Sequence, residues 1–512
     1  MGELGRRIDT LPPEKRALLE QRLLQRRRLE VDDSIPRRDP AKPTPLSFSQ
    51  QRLWFLDQWS PGAPTYNAAL PMRIDGALDA DAIRGALIRV IERHEALRTV
   101  FRVEDGQVVQ VVLDRFDFEL PVFDLRHLPA QEREAEARRI VLAQARRPFS
   151  LTSDTMLRAT LVRIADRHHV LSLEEHHIAF DGWSDSIMFR ELEELYAAAL
   201  AGRAPVLPDL PIQYADFAVW QRARMADGLL DDHLTYWRRQ LAGFPGTLRL
   251  PLDLPRPSVQ TFDGVHHHFA LPQRLADGVR DLSRRESATP FMTLLAAFAT
   301  LMYRTTGDDD VVVGTPIANR SRLELENLIG FFSNTLALRI RLGGNPTFGQ
   351  VVERVREVAL GAYAHQDVPF EKVVEAVDPL RDPSVNPLFQ VNFRVQSGTP
   401  ARLELPGLAV TPIQVDLGFS RFDLALELQL RDTAIDGYFE YNTRLFRPET
   451  VLGLQGAFTR VLEQALDRPD ARILTLAVPA VESKEIGDGR PSPIRSFRKR
   501  TGREQSATTN NG

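Results

Sequence analysis

The stretch Leu171–Ser184, LSLEEHHIAFDGWS, decides how the chain is read. Its first half reads as a strand from Val170 to His177, in which successive side chains point to opposite faces. His177 then shares a face with Leu171, Leu173 and Glu175, and His176 lies with Ser172 and Glu174. Only one of the two histidines can face a given cleft. The residues AFDGWS turn the chain, and Ser184 is placed to cap a helix carrying Ile187, Met188, Leu192 and Leu195. Backbone N–H groups around Gly182 and the start of that helix point back toward the strand end. An imidazole beside oriented N–H donors is an arrangement suited to acyl transfer.

Outward from this stretch, ATLVRIA pairs with HHVLSLEEHH as a predicted hairpin, LDADAIRGALIRVIERH is helical, and TPFMTLLAAFATLMYR is a nearly all-apolar helix. Helical and strand patterns alternate from about Thr44 to Val481, so the fold class is mixed α/β (α+β). Residues 1–43 read as a short amphipathic helix opened by Pro12 and Pro13 and carrying Leu18, Leu19, Leu23 and Leu24, followed by a polar linker. Residues 482–512 read as a disordered basic tail. Ile494 and Phe497 among its arginines suggest a docking element.

At 512 residues, with 43% hydrophobic and 26% charged, the chain has material for large cores, and a net charge of -4 gives no overall pull toward nucleic acid or anionic membrane. The absence of cysteine removes disulfides, thiolate zinc sites, iron–sulfur clusters and a cysteine nucleophile together. No apolar run of about 18 residues or more is present, and a cytoplasmic protein is expected. His176 and His177 diverge on the strand and make a poor metal pair. His266 and His268 could share a face but lack an evident third ligand, so no metal is expected.

The order His176-His177-x-x-x-Asp181-Gly182 resembles a motif of the condensation domains of nonribosomal peptide synthetases. SFSQQRLWFL (47–56), RHEALRTVF (93–101), YADFAVWQR (214–222), IGFFSNTLALR (329–339), HQDVPFEKV (365–373) and RDPSVNPLFQ (381–390) are similar to the other motifs of that family, in the same order. The sequence departs from the pattern at Ser333, where Val is usual, and at Glu175, where Met is common. The resemblance implies two chloramphenicol-acetyltransferase-like lobes, here 44–210 and 211–481, forming a V-shaped pseudodimer around a central tunnel. Donor and acceptor carrier proteins would present substrates on phosphopantetheine, with no cofactor of the enzyme's own, no nucleic acid, no membrane, and a monomeric state.

The implied activity moves an acyl or peptidyl group from a carrier thioester to an amine, giving an amide. A hydroxyl acceptor, hence an ester, stays open, as do an epimerising or other acyltransferase role and a catalytically silent recruitment module. His177 is the candidate catalytic group and Gly182 the candidate oxyanion contact, with His176 in support. Asp181 is expected in a structural ion pair, with Arg98 the first candidate partner and Arg320 the second. Trp220 and Asn334 are carried over as residues that shape the site, and Glu175 as one that could tune His177 or contact the acceptor. The Met1 start and the tail suggest a freestanding enzyme, for which a soluble acceptor is also conceivable.

Overall fold

The computed structural model describes residues 34–244, 246–379, 382–398 and 401–478. The predicted N-terminal helix and the basic tail lie outside them. In chain order the strands are β1 (Thr44–Pro45), β2 (Asn67–Asp75), β3 (Thr99–Glu104), β4 (Gln107–Val112), β5 (Val122–Asp124), β6 (Leu157–Ala165), β7 (His168–His176), β8 (Gly264–Leu271), β9 (Asp310–Ile317), β10 (Asn334–Arg341), β11 (Val391–Ser397), β12 (Ala409–Pro412), β13 (Leu424–Leu430) and β14 (Ile435–Asn442). They form a small sheet β1-β4-β3, a five-stranded sheet β12-β2-β7-β6-β5 and a six-stranded sheet β10-β9-β11-β13-β14-β8.

The predicted hairpin is β6 and β7, antiparallel with Leu161 opposite Leu171. Strand β7 sits inside its sheet and is buried along nearly its whole length, although only Val170, Leu171 and Leu173 of its residues are apolar. Leu171 and Leu173 pack with Ile83 and Leu87 of helix α1 (Ala80–Arg93) and with Ile187 and Leu192 of helix α2 (Ser184–Ala201). On the other face Val170 meets Ile140 and Val141 of the helix at Ala130–Ala145. Helix α1 begins where the sequence places it, with Asp79 accepting a hydrogen bond from Ala82 N. The all-apolar segment is helix α3 (Pro290–Thr306), capped by Thr289 and stopped by Gly307 in the left-handed region, and it forms the centre of the largest core.

Helix α2 corrects one expectation. Its N-cap is Trp183, not Ser184, and Trp183 makes no capping hydrogen bond through its side chain. The Asp181 carboxylate accepts from Ser184 N at 3.1 Å instead, which leaves the Ser184 hydroxyl for other partners.

The two larger sheets are joined in two ways. A third core combines Leu46, Leu53, Trp54 and Phe101 with Ile212, Tyr214, Phe217, Leu328, Phe331 and Phe332. The second junction has no counterpart in the sequence reading: β12, far along the chain, adds antiparallel to β2 at the edge of the five-stranded sheet. Leu403 and Leu405, just before β12, are buried in the core beneath that sheet.

Close packing at Gly330 generates a test. A Cβ there would lie 2.2 Å from Tyr214 Cδ2 and 2.8 Å from Phe332 Cε2, inside the third core. Gly330→Ala should destabilise the protein by about 1–3 kcal/mol, as overpacking does. Gly85→Ala, in helix α1 with nothing within 4 Å of the added methyl, should be neutral or stabilising by roughly 0.5–1 kcal/mol. Thermal melts of the two variants side by side check the contrast, and equal melting temperatures would contradict it.

Candidate active site

His177 lies one residue beyond the end of β7, yet its N–H still donates to Tyr66 O at 2.9 Å, just before β2. The alternation therefore continues to the residue that matters. His176 turns into the protein, where its ring packs edge-on to Phe149 and its Nδ1 accepts from Ile178 N at 3.2 Å. Burial, helped by Arg421, pushes the His176 pKa down to about 3. His177 faces a cavity of about 380 Å³ and His176 does not line it.

The His177 ring has a defined tautomer. Its Nδ1 is 3.2 Å from Phe180 O. A carbonyl oxygen only accepts, so Nδ1 carries the hydrogen and Nε2 keeps the lone pair. Burial holds the pKa well below the ordinary histidine range, and the positive charge of Arg421 adds to the effect. The imidazole is neutral at physiological pH.

Asp181 turns its carboxylate away from the reacting space and into a dense set of donors. Oδ1 accepts from Arg320 Nη2 at 3.0 Å, Ser184 Oγ at 2.9 Å and Ser184 N. Oδ2 accepts from Phe332 N at 3.0 Å, Ser333 N at 3.2 Å and Ser333 Oγ at 3.3 Å. Arg320 is thus the partner. Arg98, the first candidate, is elsewhere: its Nη1 donates to Leu113 O at 2.6 Å, holding the turn around the small sheet.

The segment Ile329–Ser333 is fastened residue by residue. Ile329 N donates to His94 Nδ1, and the opposite nitrogen of His94 donates to Glu191. Gly330 meets the Ser184 hydroxyl, Phe331 O accepts from Tyr214 Oη at 2.8 Å, and Phe332 and Ser333 bind Asp181. Ser333, the departure from the usual Val, adds a hydroxyl bond to the same carboxylate. Asn334 then clamps the next loop, donating to Gln366 O and Val368 O and accepting from Phe370 N. Asn334 also lines the cavity, as Gly182 does.

Two expected site residues are elsewhere. Glu175 is fully buried and absent from the cavity wall, because the start of helix α2 covers that face of β7. Its pKa is raised by burial and by the neighbouring Asp185, whose own pKa is pushed up to about 7. Trp220 packs in a separate surface hollow with Arg224 and Arg322 stacked on its ring.

The far wall of the cavity is the six-stranded sheet, and its polar residues escaped the sequence reading. Register places Arg394 of β11 opposite Glu427 of β13, Glu427 opposite Tyr438 of β14, and Tyr438 opposite His268 of β8. A second row runs Asn392, Ala425, Glu440, His266. Arg394, Glu427, Glu440 and nearby Arg421 all line the cavity. The available signal was a charged residue recurring within apolar strands, as in NFRVQ, LALELQL and YFEYN. His266 bonds to Glu440 Oε2 at 3.3 Å, and among the described residues no group of three or more His, Cys, Asp or Glu could hold a metal. No helix among them is long and apolar enough to cross a membrane.

Comparison with known proteins matches residues 41–486 to the model of the Condensation domain. The chain belongs to the condensation-domain family. Phosphinothricin tripeptide synthetase PhsC of Streptomyces viridochromogenes is 45% identical over 455 residues, which is 88% of this chain and 42% of that protein. The chain spans less than half the length of this curated relative. The X-domain solved in complex with OxyB from teicoplanin biosynthesis superposes with a TM-score of 0.79 at 30% identity, covering 88% of this chain and 99% of that one. SgcC5 from Streptomyces globisporus, solved with (R)-(-)-1-(2-naphthyl)-1,2-ethanediol and sucrose, gives a TM-score of 0.70 at 30% identity over 84% of this chain and all of that one. These relatives agree with the mixed α/β fold and open sheets seen here.

The Asp181 cluster predicts a divided outcome. Both charged side chains are almost wholly buried, at 2% and 1% exposure for Asp181 and Arg320, so Asp181→Ala strands a guanidinium and should cost about 3–5 kcal/mol. Arg98→Ala should cost distinctly less. Urea denaturation followed by tryptophan fluorescence measures both. An Asp181→Ala protein as stable as wild type would remove the carboxylate's structural role.

Proposed function

We propose that the chain is an acyltransferase of nonribosomal peptide assembly, moving an acyl or peptidyl group from a carrier-bound phosphopantetheine thioester to an amine. The observation that carries this reading is His177, a neutral imidazole with its acceptor nitrogen unblocked in a cavity between the turn that follows β7 and the six-stranded sheet. In this reading residues 44–210 and 211–481 act as two lobes, the protein works in the cytoplasm as a monomer, and its substrates arrive on donor and acceptor carriers.

The reaction needs little acid–base power. The amine lone pair attacks the thioester carbonyl carbon, a C–N bond forms and the carbonyl electrons move to oxygen. Collapse of that intermediate breaks the C–S bond, and the thiol leaves with the proton lost by nitrogen. A thioester is already activated, and an amine of pKa about 7.7–8.0 is partly neutral at cellular pH. A histidine whose conjugate acid is so acidic is a weak base. His177 Nε2 therefore acts first by accepting an N–H hydrogen bond that aims the amine, and receives a proton only once nitrogen has become cationic. The Gly182 amide is the proposed contact for the developing oxyanion.

Two further readings have support. The diol bound to SgcC5 favours a hydroxyl acceptor and an ester product, and the complex of the X-domain with OxyB favours a recruitment module without chemistry. Single-turnover transfer from a loaded donor carrier to amine and alcohol acceptors separates the three. His177→Ala should lower that transfer at least about 100-fold with an unchanged melting temperature. A variant within tenfold of wild type would exclude the proposed role, and a wild-type protein that binds partners but transfers to nothing would leave recruitment.

The pH dependence has a definite sign. The His177 pKa lies well below its ordinary value, so the ring stays neutral and does not titrate between pH 8 and 6. Activity should fall as pH drops only because the acceptor amine protonates, and the inflection should move with the amine pKa when acceptors are changed. An acceptor-independent inflection near 6.5 would contradict the neutral ring.

A further inference from the structure

Charge in the cavity does not close on itself. Arg52 pairs with Glu371 outside it, Asp181 with Arg320, Glu427 with Arg394 at 3.5 Å, and Glu440 with His266. Arg421 remains. Its backbone N–H donates to Glu440, but its guanidinium makes only a long bond, Nε to Thr65 O at 3.4 Å, and lies 5.4 Å from the Tyr66 ring. Among the described residues no carboxylate reaches it. A half-buried guanidinium without a counter-ion beside a neutral imidazole is costly unless an anion arrives to meet it.

Building on the acyl-transfer reading, we infer that Arg421 is the anion-recognition residue of this cavity and that the accepted substrate carries a carboxylate close to its nucleophilic amine. The fork of a guanidinium matches a carboxylate in two parallel hydrogen bonds, and the partly enclosed cavity strengthens both. The cavity wall around it supplies Tyr66, Phe331 and Phe422 for the apolar part of such a substrate. Two sources offer the same chemistry: the free α-carboxylate of a soluble amino acid, or the side-chain carboxylate of an acidic aminoacyl group held as a thioester. A purely structural Arg421, tying the loop before β13 to Thr65, makes no such distinction among substrates.

The test reads equilibrium binding to the full chain carrying His177→Ala, so that no turnover is required. Calorimetry compares leucine with leucinamide, and the N-acetylcysteamine thioester of aspartate with that of asparagine. In at least one pair the carboxylate should bind about tenfold or more tighter than its amide. Adding Arg421→Gln should bring that ratio near one, and Arg421→Lys should keep an intermediate value. The pair that shows the preference identifies the source. Taking the ratio within each variant cancels any general effect of the Arg421 substitution on the shape of the cavity. Equal binding within both pairs, no binding of either carboxylate in the millimolar range, or a ratio that survives Arg421→Gln overturns the inference. A carboxylate preference in a protein that transfers no acyl group would sink the acyl-transfer reading and leave the recognition standing.

Discussion

One carboxylate organises this site. Asp181 accepts six hydrogen bonds from Ser184, Arg320, Phe332 and Ser333, groups from two distant parts of the chain, with its carboxylate almost wholly buried at the cavity's edge. Desolvating a charge is expensive, and the arrangement holds only while every donor is in position. The turn that carries His177 and the segment Ile329–Ser333 are therefore set by the same object. His94, Ser184 and Tyr214 extend the fastening along that segment, and Gly330 lets it approach the Tyr214 ring more closely than any side chain would permit.

The motif whose aspartate looks like a third catalytic member thus divides its labour. His177 faces the open space; Asp181 builds the wall that the space opens from. Among the described residues no carboxylate bonds to the His177 ring, and burial together with Arg421 outweighs the pull of the Phe180 carbonyl toward the charged form. The ring is suited to holding a hydrogen bond. It is poorly suited to storing a proton.

Local features were legible in the sequence because they depend on short-range periodicity. The β6–β7 hairpin, helices α1 to α3 and the divergence of His176 from His177 all follow from alternation and capping within a few residues. Residue types that need a partner were legible as a need: Asp181 had to meet a cation. Which cation was not, since Arg98 and Arg320 are equivalent in type and only the folded path brings Arg320 near. Glu175 failed for a related reason, because alternation gives its face but not the helix that covers it. The Arg394–Glu427 and Asn392–Glu440 rows depend on strand register across three strands, which a single sequence does not contain. The capping role assigned to Ser184 went to Asp181, a better acceptor three residues earlier.

The short strand β12 has a consequence for how such chains can be recombined. Residues 401–417 belong by sequence to the second half, yet they cover the first: Leu403 and Leu405 fill its core, β12 closes the edge of β2, and Leu417 O accepts from Arg146. A hybrid that joins the first half of one relative to the second half of another at the proposed boundary near residue 210 would bring a foreign edge strand and foreign core leucines with it. The first half left alone would expose the β2 ladder to any passing strand. The natural unit of exchange is the whole two-sheet body, and a graft confined to one half needs its own 401–417 strap.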